Sequence, residues 1–397
     1  MIPTHHDVII VGGGIIGGGI AEQLRHGSSR LRVGVVEREL GADVRTSASR
    51  AAAGGINPHL YDEVHGALGP MAQRSRDLYP GWIERLSAGW GRPIELRPSG
   101  LLCVAIEEKE HDRLINDVLP LLHERGVAAR ELGADEARGR EPLLGPDVMG
   151  GLWLPDDVAV EPMRVMAALE AVLKADDGLT CVPDRAEDIR VDADGVEVVL
   201  ESGQVLRAGK VVVAAGHLSH ELVKDFIDWR DGDFTPVKGQ ILEVAAPVRG
   251  GLRAQCDALV PDEKETHIVR ATPYAEGRVA VGVTHDRGDA SPGTSARSSE
   301  AILRNLRRIL PAVADWEVLG ARAGIRPGTS DGLPILGYVD PYRRVLAATG
   351  HNGLGITLAP RTAQLAVKLL LDASLTEEDR ADLHVSRPER LSASRPG

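Results

Sequence analysis

The stretch Asp7-Val8-Ile9-Ile10-Val11-Gly12-Gly13-Gly14-Ile15-Ile16-Gly17 decides the fold. Its apolar run, Val8 to Val11, reads as a buried parallel strand, and Gly12, Gly14 and Gly17 supply the GxGxxG spacing of a dinucleotide turn. Gly12 permits the tight turn, Gly14 leaves the backbone bare for phosphates, and Gly17 lets the following helix pack closely on the strand. The helix dipole and its free N–H groups then favour the pyrophosphate charge. A second apolar stretch, Leu31 to Val36, ends at Glu37, where a carboxylate accepts hydrogen bonds from the adenosine ribose and repels a 2′-phosphate. The motif by itself does not separate NAD from FAD.

Working outward, 397 residues exceed what one core serves, so two domains are expected. A composition 43% hydrophobic and 26% charged is that of a globular protein, and a formal charge of −12 argues against a nucleic-acid partner. Cys103, Cys181 and Cys256 are odd in number, widely spaced and without zinc-ligand spacing, as expected of reduced thiols in a cytoplasmic protein that binds no metal. The first strand begins by residue 7, leaving no room for a signal peptide, and no uncharged apolar stretch reaches the roughly 18 residues that span a bilayer. No membrane partner is therefore expected. The oligomeric state is open, and a homo-oligomer is compatible with all of this.

The segment Thr46 to Pro58 is rich in small residues that let a backbone lie against a flat ligand, although a plain surface loop has the same composition. Residues 60–150 mix helical patterning (His111 to Arg125) with the short apolar run Leu101 to Ile106. Met163 to Ala175 predicts an amphipathic helix, Val196 to Leu206 a hairpin, and Lys210 to Gly216 a buried strand whose glycine end falls near the cofactor. Gln240 to Ala245, Thr266 to Arg270 and Arg278 to Thr284 predict an antiparallel sheet; Leu303 to Leu310 and Thr362 to Asp372 read as helices.

Together with Val213 to Gly216, Pro236-Val237-Lys238-Gly239-Gln240, Ala323 to Gly337 and the loop Gly350 to Pro360, these pieces resemble the FAD-dependent amine and amino-acid oxidases, bacterial glycine oxidases above all. The resemblance implies an α/β fold with an α+β second domain. A Rossmann-like FAD-binding domain of the D-amino-acid oxidase type (1–85, 150–220 and 321–380) would carry an antiparallel-sheet substrate domain (86–149 and 221–320), with 381–397 as a C-terminal tail. It also implies FAD, with Ile15, Ile16, Glu37 and Arg38 around the adenosine and pyrophosphate, Ala48, Ser49, Ala53, Gly54 and Gly55 along the flavin, and Ala186 on the adenine side. The loop His351, Asn352, Gly353, Leu354, Gly355, Ile356 and Thr357 would close over the isoalloxazine, its N–H groups meeting charge at N1 and O2. Relatives with covalent flavin use a cysteine in the C-terminal part; the last cysteine here is Cys256, so non-covalent FAD is expected.

Arg326 matches the arginine that binds the substrate carboxylate in glycine oxidases, a role that suits a planar guanidinium. Three positions depart from that pattern: His267 replaces a tyrosine, His285 a bulky apolar residue, and Gly353 an arginine found in some members. His267 is either a donor to the carboxylate or a satisfied core histidine. Gly353 should open the pocket beside the amine, favouring an N-substituted glycine or N-carboxymethyl amino acid over glycine. The implied reaction passes an α-carbon hydride to flavin N5, and the imine hydrolyses to glyoxylate and an amine, with O2 reoxidising the flavin to give peroxide. Such an enzyme would suit secondary metabolism. Two alternatives stay open: a D-amino-acid or D-hydroxyproline dehydrogenase using another acceptor, and a redox-inactive flavin-binding subunit.

Overall fold

Alternate residues of three neighbouring apolar strands feed two separate cores. In the computed structural model, which describes residues 3–27, 30–38, 47–59, 66–247, 251–261 and 266–393, the strand His5–Val11 lies parallel between Val33–Val36 and Val205–Val213. Val8, Ile10, Val33 and Val35 enter one cluster, while Ile9, Val11, Val36 and Val213 enter the other. A strand buried on both faces needs no polar side, which explains the continuous apolar reading of these segments. Leu179–Val182 and Val345–Thr349 extend the parallel centre at its edges. Helices Ile15–Gly27, Gly69–Trp90, Pro162–Ala175 and Gly355–Leu370 pack against one another beside this sheet.

A nine-stranded, mostly antiparallel sheet forms the second layer, built around Phe234–Ala245, Gln255–Pro261, Thr266–Pro273, Arg278–Gly282 and Glu317–Thr329. One face packs on the helix Ala296–Leu306, and a bridge from Ser47 to Ile325 ties the sheet to the small-residue segment. That segment is a short helix, Ala48–Ala51, followed by the strand Gly55–Ile56; Thr46 lies outside the described residues.

Four expectations need correction. Gly150–Leu154, assigned above to the FAD-binding domain, pairs with Leu101–Ala105 and Arg130–Gly133 and so belongs to the nine-stranded sheet. The helix expected at Leu303 to Leu310 spans Ala296–Leu306, its start fixed by Ser295, whose side chain caps Ser298 N–H. The closing helix begins at Gly355 and runs through Pro360. Proline has no N–H for the Ile356 carbonyl, and the Tyr79 hydroxyl donates to that carbonyl instead. Residues 381–393 are no tail: the helix Glu377–Ser386 opens with a Thr376/Asp379 capping box and buries Asp379 and Asp382.

Those carboxylates hold the helix down. Arg361 lies 2.9 Å from Asp379 and 2.8 Å from Asp382, Lys368 meets Asp379 at 2.6 Å, and Arg74 pairs with Asp382. Burial alone would raise the Asp379 pKa, but Lys368, the Thr376 N–H and Arg361 together hold it at about 2. Removing Asp382 leaves the buried Arg361 with Asp379 still beside it but with an N–H donor unpaired, so Asp382→Ala should cost about 2–3 kcal/mol in equilibrium denaturant unfolding; a loss below about 1 kcal/mol would show the network to be marginal.

Candidate active site

The two sheets enclose a cavity of about 620 Å³ that runs from the glycine-rich turn to the second sheet. At the turn, Gly12 has φ +107°, a backbone region open to glycine, and a Cβ there would lie 2.3 Å from the Ala214 oxygen. Gly17 does not line the cavity. A Cβ on it would stand 1.9 Å from the Gly12 oxygen, so its role is the close approach of helix to turn. Glu37 Oε2 accepts the Gly13 N–H at 2.8 Å, and Ser49 Oγ accepts the Ile15 N–H at 3.0 Å, which brings both to the helix N-terminus. Gly12, Gly14, Ile15, Ile16, Glu37, Arg38, Ala186 and Gly216 all line this end, and Arg38 pairs with Glu201. Arg50 pairs with Glu170 between the turn and the middle of the cavity.

Ala48, Ser49, Ala53, Gly54 and Gly55 line the middle of the cavity, with His351, Asn352, Gly353, Leu354, Gly355, Ile356 and Thr357. His351 is buried, its Nε2 lies 3.0 Å from Thr362 Oγ1, and burial pulls its pKa down to about 3, so it is a neutral anchor for the loop. Behind Gly55, Asn57 donates to Asp157 Oδ2 at 2.9 Å. Burial, only partly offset by Asn57 and Arg76, lifts the Asp157 pKa to about 7.

Arg326 occupies the far end. Its guanidinium lies directly over Gly239, where a Cβ would come within 2.2 Å of Nη2, and Nη1 donates to the Thr284 oxygen at 3.1 Å. Among the described residues no carboxylate forms a salt bridge with it. Burial first, then the neighbouring Arg270, lowers its pKa to about 10, against a smaller opposing effect of Asp286. His285 lines the cavity beside it, held neutral with a pKa of about 3 by burial, Arg326 and Arg270. A Cβ at Gly353 would sit 3.9 Å from Arg326 Cδ and Nε, in ordinary contact, so the position borders the Arg326 side chain and leaves unfilled the room a side chain would take.

His267 is not brought to this site. It shares strand parity with Val269 and Ala271, whose side chains belong to the core on the opposite face; Ile268 and Arg270 face the cavity. The sequence reading missed Arg270, although the apolar residues at 269 and 271 mark the core face and thereby place 268 and 270 on the other. It also missed Gly239 and the Asn57–Asp157 pair, for which no local spacing gives a signal.

A family model described as FAD dependent oxidoreductase matches residues 7–369. The glycine oxidase of Geobacillus kaustophilus is 32% identical over 391 residues, covering 97% of this chain and 98% of that protein. That of Bacillus subtilis is 30% identical, covering 98% of each. The bifunctional protein ThiO/ThiG of Synechocystis is 31% identical over 393 residues, and this chain spans 54% of its length. The crystal structure of the Geobacillus kaustophilus glycine oxidase superposes with a TM-score of 0.84 at 29% identity, over 94% of this chain and 96% of that one.

Two outcomes follow from this geometry. Gly239→Ala should leave the fold and the nucleotide end intact while displacing the Arg326 guanidinium, so carboxylate ligands should bind at least about tenfold more weakly in a titration. For Asp157, a folded pKa of about 7 against an ordinary 3.8 means the folded state keeps a proton that the unfolded state releases, so stability falls as pH rises between those values. Asp157→Asn should therefore stabilise the protein relative to the parent at about pH 8 and not at about pH 5, as read from unfolding curves at both.

Proposed function

This chain belongs to the FAD dependent oxidoreductase family, and we propose that it oxidises glycine-type amines, N-substituted glycines in preference to glycine. The observation that carries this reading is Arg326, a cation enclosed over Gly239 with no salt bridge among the described residues. Such a charge is expensive unless an anion meets it, and a guanidinium takes a carboxylate in two parallel hydrogen bonds. The glycine-oxidase names of relatives covering 97% and 98% of the chain support the same substrate class.

FAD fits the cavity: the bare turn, Ser49 and Glu37 at the helix N-terminus, and the small-residue wall form a cradle for it. When bound, it supplies a hydride acceptor at N5 and, once reduced, a route for electrons to dioxygen. The chain itself positions the substrate. Arg326 fixes the carboxylate, and the open space at Gly353 receives a substituent on nitrogen. The uncharged His285 ring accepts the amine N–H without repelling it. Arg326 and Arg270 disfavour a third cation between them, so the amine binds neutral, its proton released to solvent. In balance, an N-substituted glycine, O2 and water give the free amine, glyoxylate and hydrogen peroxide.

Anaerobic mixing with glycine, N-methylglycine, larger N-substituted glycines and D-amino acids tests this reading through bleaching of the bound flavin, with peroxide assayed once air is admitted. N-substituted glycines should bleach it fastest and peroxide should follow. Bleaching by D-amino acids alone, without peroxide, would instead identify a dehydrogenase. Because the neutral amine binds, kcat/KM should rise roughly tenfold per unit between about pH 6 and about pH 8; a flat profile would contradict binding as the free amine.

A further inference from the structure

We propose that a second, smaller cavity beside the active site is a dioxygen site, from which oxygen reaches the reduced flavin by way of Leu259. The inference rests on the oxidase reading above and assigns the route of its oxidant.

The two cavities are neighbours on one face of the second sheet. Arg270, Asp257, Cys103 and Leu152 stand abreast on four adjacent strands, and Ile268 stands abreast of Leu259. Abreast residues, and residues two apart in a strand, share a face, so these side chains point the same way. Arg270 and Ile268 line the active cavity, Cys103 and Leu152 line the smaller one of about 40 Å³, and Leu259 lines both. The partition is therefore Leu259 together with the Arg270–Asp257 pair, bonded at 2.7 Å. The two charges of that pair satisfy each other, which leaves the half-buried Leu259 side chain as the apolar crossing. A leucine that changes rotamer on the ps–ns scale lets a diatomic molecule by and holds back anything larger.

Lining chemistry selects the occupant. Leu114, Val118, Leu122 and Leu154 complete an apolar wall. Burial keeps Cys103 a thiol and His59 a neutral ring. Among the described residues that line it, the remaining charges are Glu110 and Arg113, bonded to each other at 2.8 Å and half-buried at the outer edge. A buried water wants roughly two to four polar partners and a buried ion wants an opposite charge, and this wall offers neither beyond groups already paired. A small uncharged apolar molecule meets no such cost. The volume suits one of about two or three heavy atoms, too few for an amino acid. Dioxygen is the molecule of that size and polarity that the proposed reaction consumes, taking up two electrons and two protons and leaving as hydrogen peroxide. A lateral approach keeps it supplied while FAD and the amine occupy the larger cavity. The cover of the small cavity is the helical segment Glu108–Glu124, whose middle turn, Leu114–Val118, has π geometry, a form frequent at functional sites.

Crystals of the FAD-loaded protein under xenon pressure give the direct test, since xenon reports dry apolar cavities. Wild type should hold xenon between Leu152 and Leu259, and Val118→Phe, which fills the space from its half-buried margin, should not. In solution the same variant should be bleached by N-methylglycine without air at the wild-type rate, while reoxidation of its dithionite-reduced flavin by dioxygen slows at least about fivefold. Leu152→Phe fills the cavity from the sheet side and should behave alike, so the test survives the misfolding of either variant. Wild-type reoxidation rates in variants that exclude xenon, or no xenon in wild type, would overturn the inference and leave the oxidase reading standing. So would tighter binding of butoxyacetate than of methoxyacetate to wild type that is lost in Val118→Phe, because the cavity would then receive the substituent on nitrogen. A reduced wild-type flavin that dioxygen does not reoxidise would instead remove the oxidase reading, and this inference with it.

Discussion

A guanidinium laid over a glycine, with no carboxylate paired to it among the described residues, is the constraint around which this cavity is arranged. Arg326 rests on Gly239 of the adjacent strand, and only a residue without a side chain leaves that surface free. The cost of holding the cation there is visible in its lowered pKa and, after burial as the larger cause, in its share of the lowered pKa of His285. A protein tolerates such a group where a ligand supplies the missing charge. Opposite it, the glycine-rich turn offers N–H groups and a helix dipole to a second anion, the pyrophosphate. One cavity thus has the glycine-rich turn at one end and the enclosed Arg326 guanidinium at the other, with a wall of small residues between.

Two independent sheets have to meet accurately for this to work. The bridge from Ser47 to Ile325 sits one residue from Arg326, so the same contact that docks the small-residue helix on the second sheet also sets the distance from that helix to the guanidinium. On the other side, the closing helix Gly355–Leu370 is joined to the first by packing and to the C-terminal helix by the Arg361 ion network. The loop carrying Gly353 is fixed at one end by His351 on Thr362. Positioning here comes from rigid elements, as a reaction driven by orientation requires.

The nucleotide half was legible in the sequence because its chemistry is local: strand, turn, helix and acid fall within residues 7–37, and Gly12 and Gly17 there each have a backbone reason. The substrate half was legible only where a family pattern pointed, as at Arg326 and Gly353. His267 and Arg270 lie three positions apart in one strand, so they face opposite ways; strand parity, applied to Val269 and Ala271, separates the half-buried histidine on the core-side face from the cavity arginine. Gly150–Leu154 was misassigned because nothing local says which sheet a short apolar strand will join. The Asn57–Asp157 pair spans a hundred positions and is visible only in three dimensions.

Arg326 has no carboxylate partner among the described residues, and stability measures the cost of its charge without any assumption about the substrate. Equilibrium unfolding of FAD-loaded Arg326→Met, compared with wild type in the absence of carboxylates, is the direct measurement. The account predicts that the methionine variant is at least as stable as wild type, since it exchanges an enclosed cation for an apolar chain of similar length, and that adding a carboxylate ligand stabilises wild type alone. A variant less stable by about 3 kcal/mol or more, as expected on breaking a paired buried ion, would contradict it.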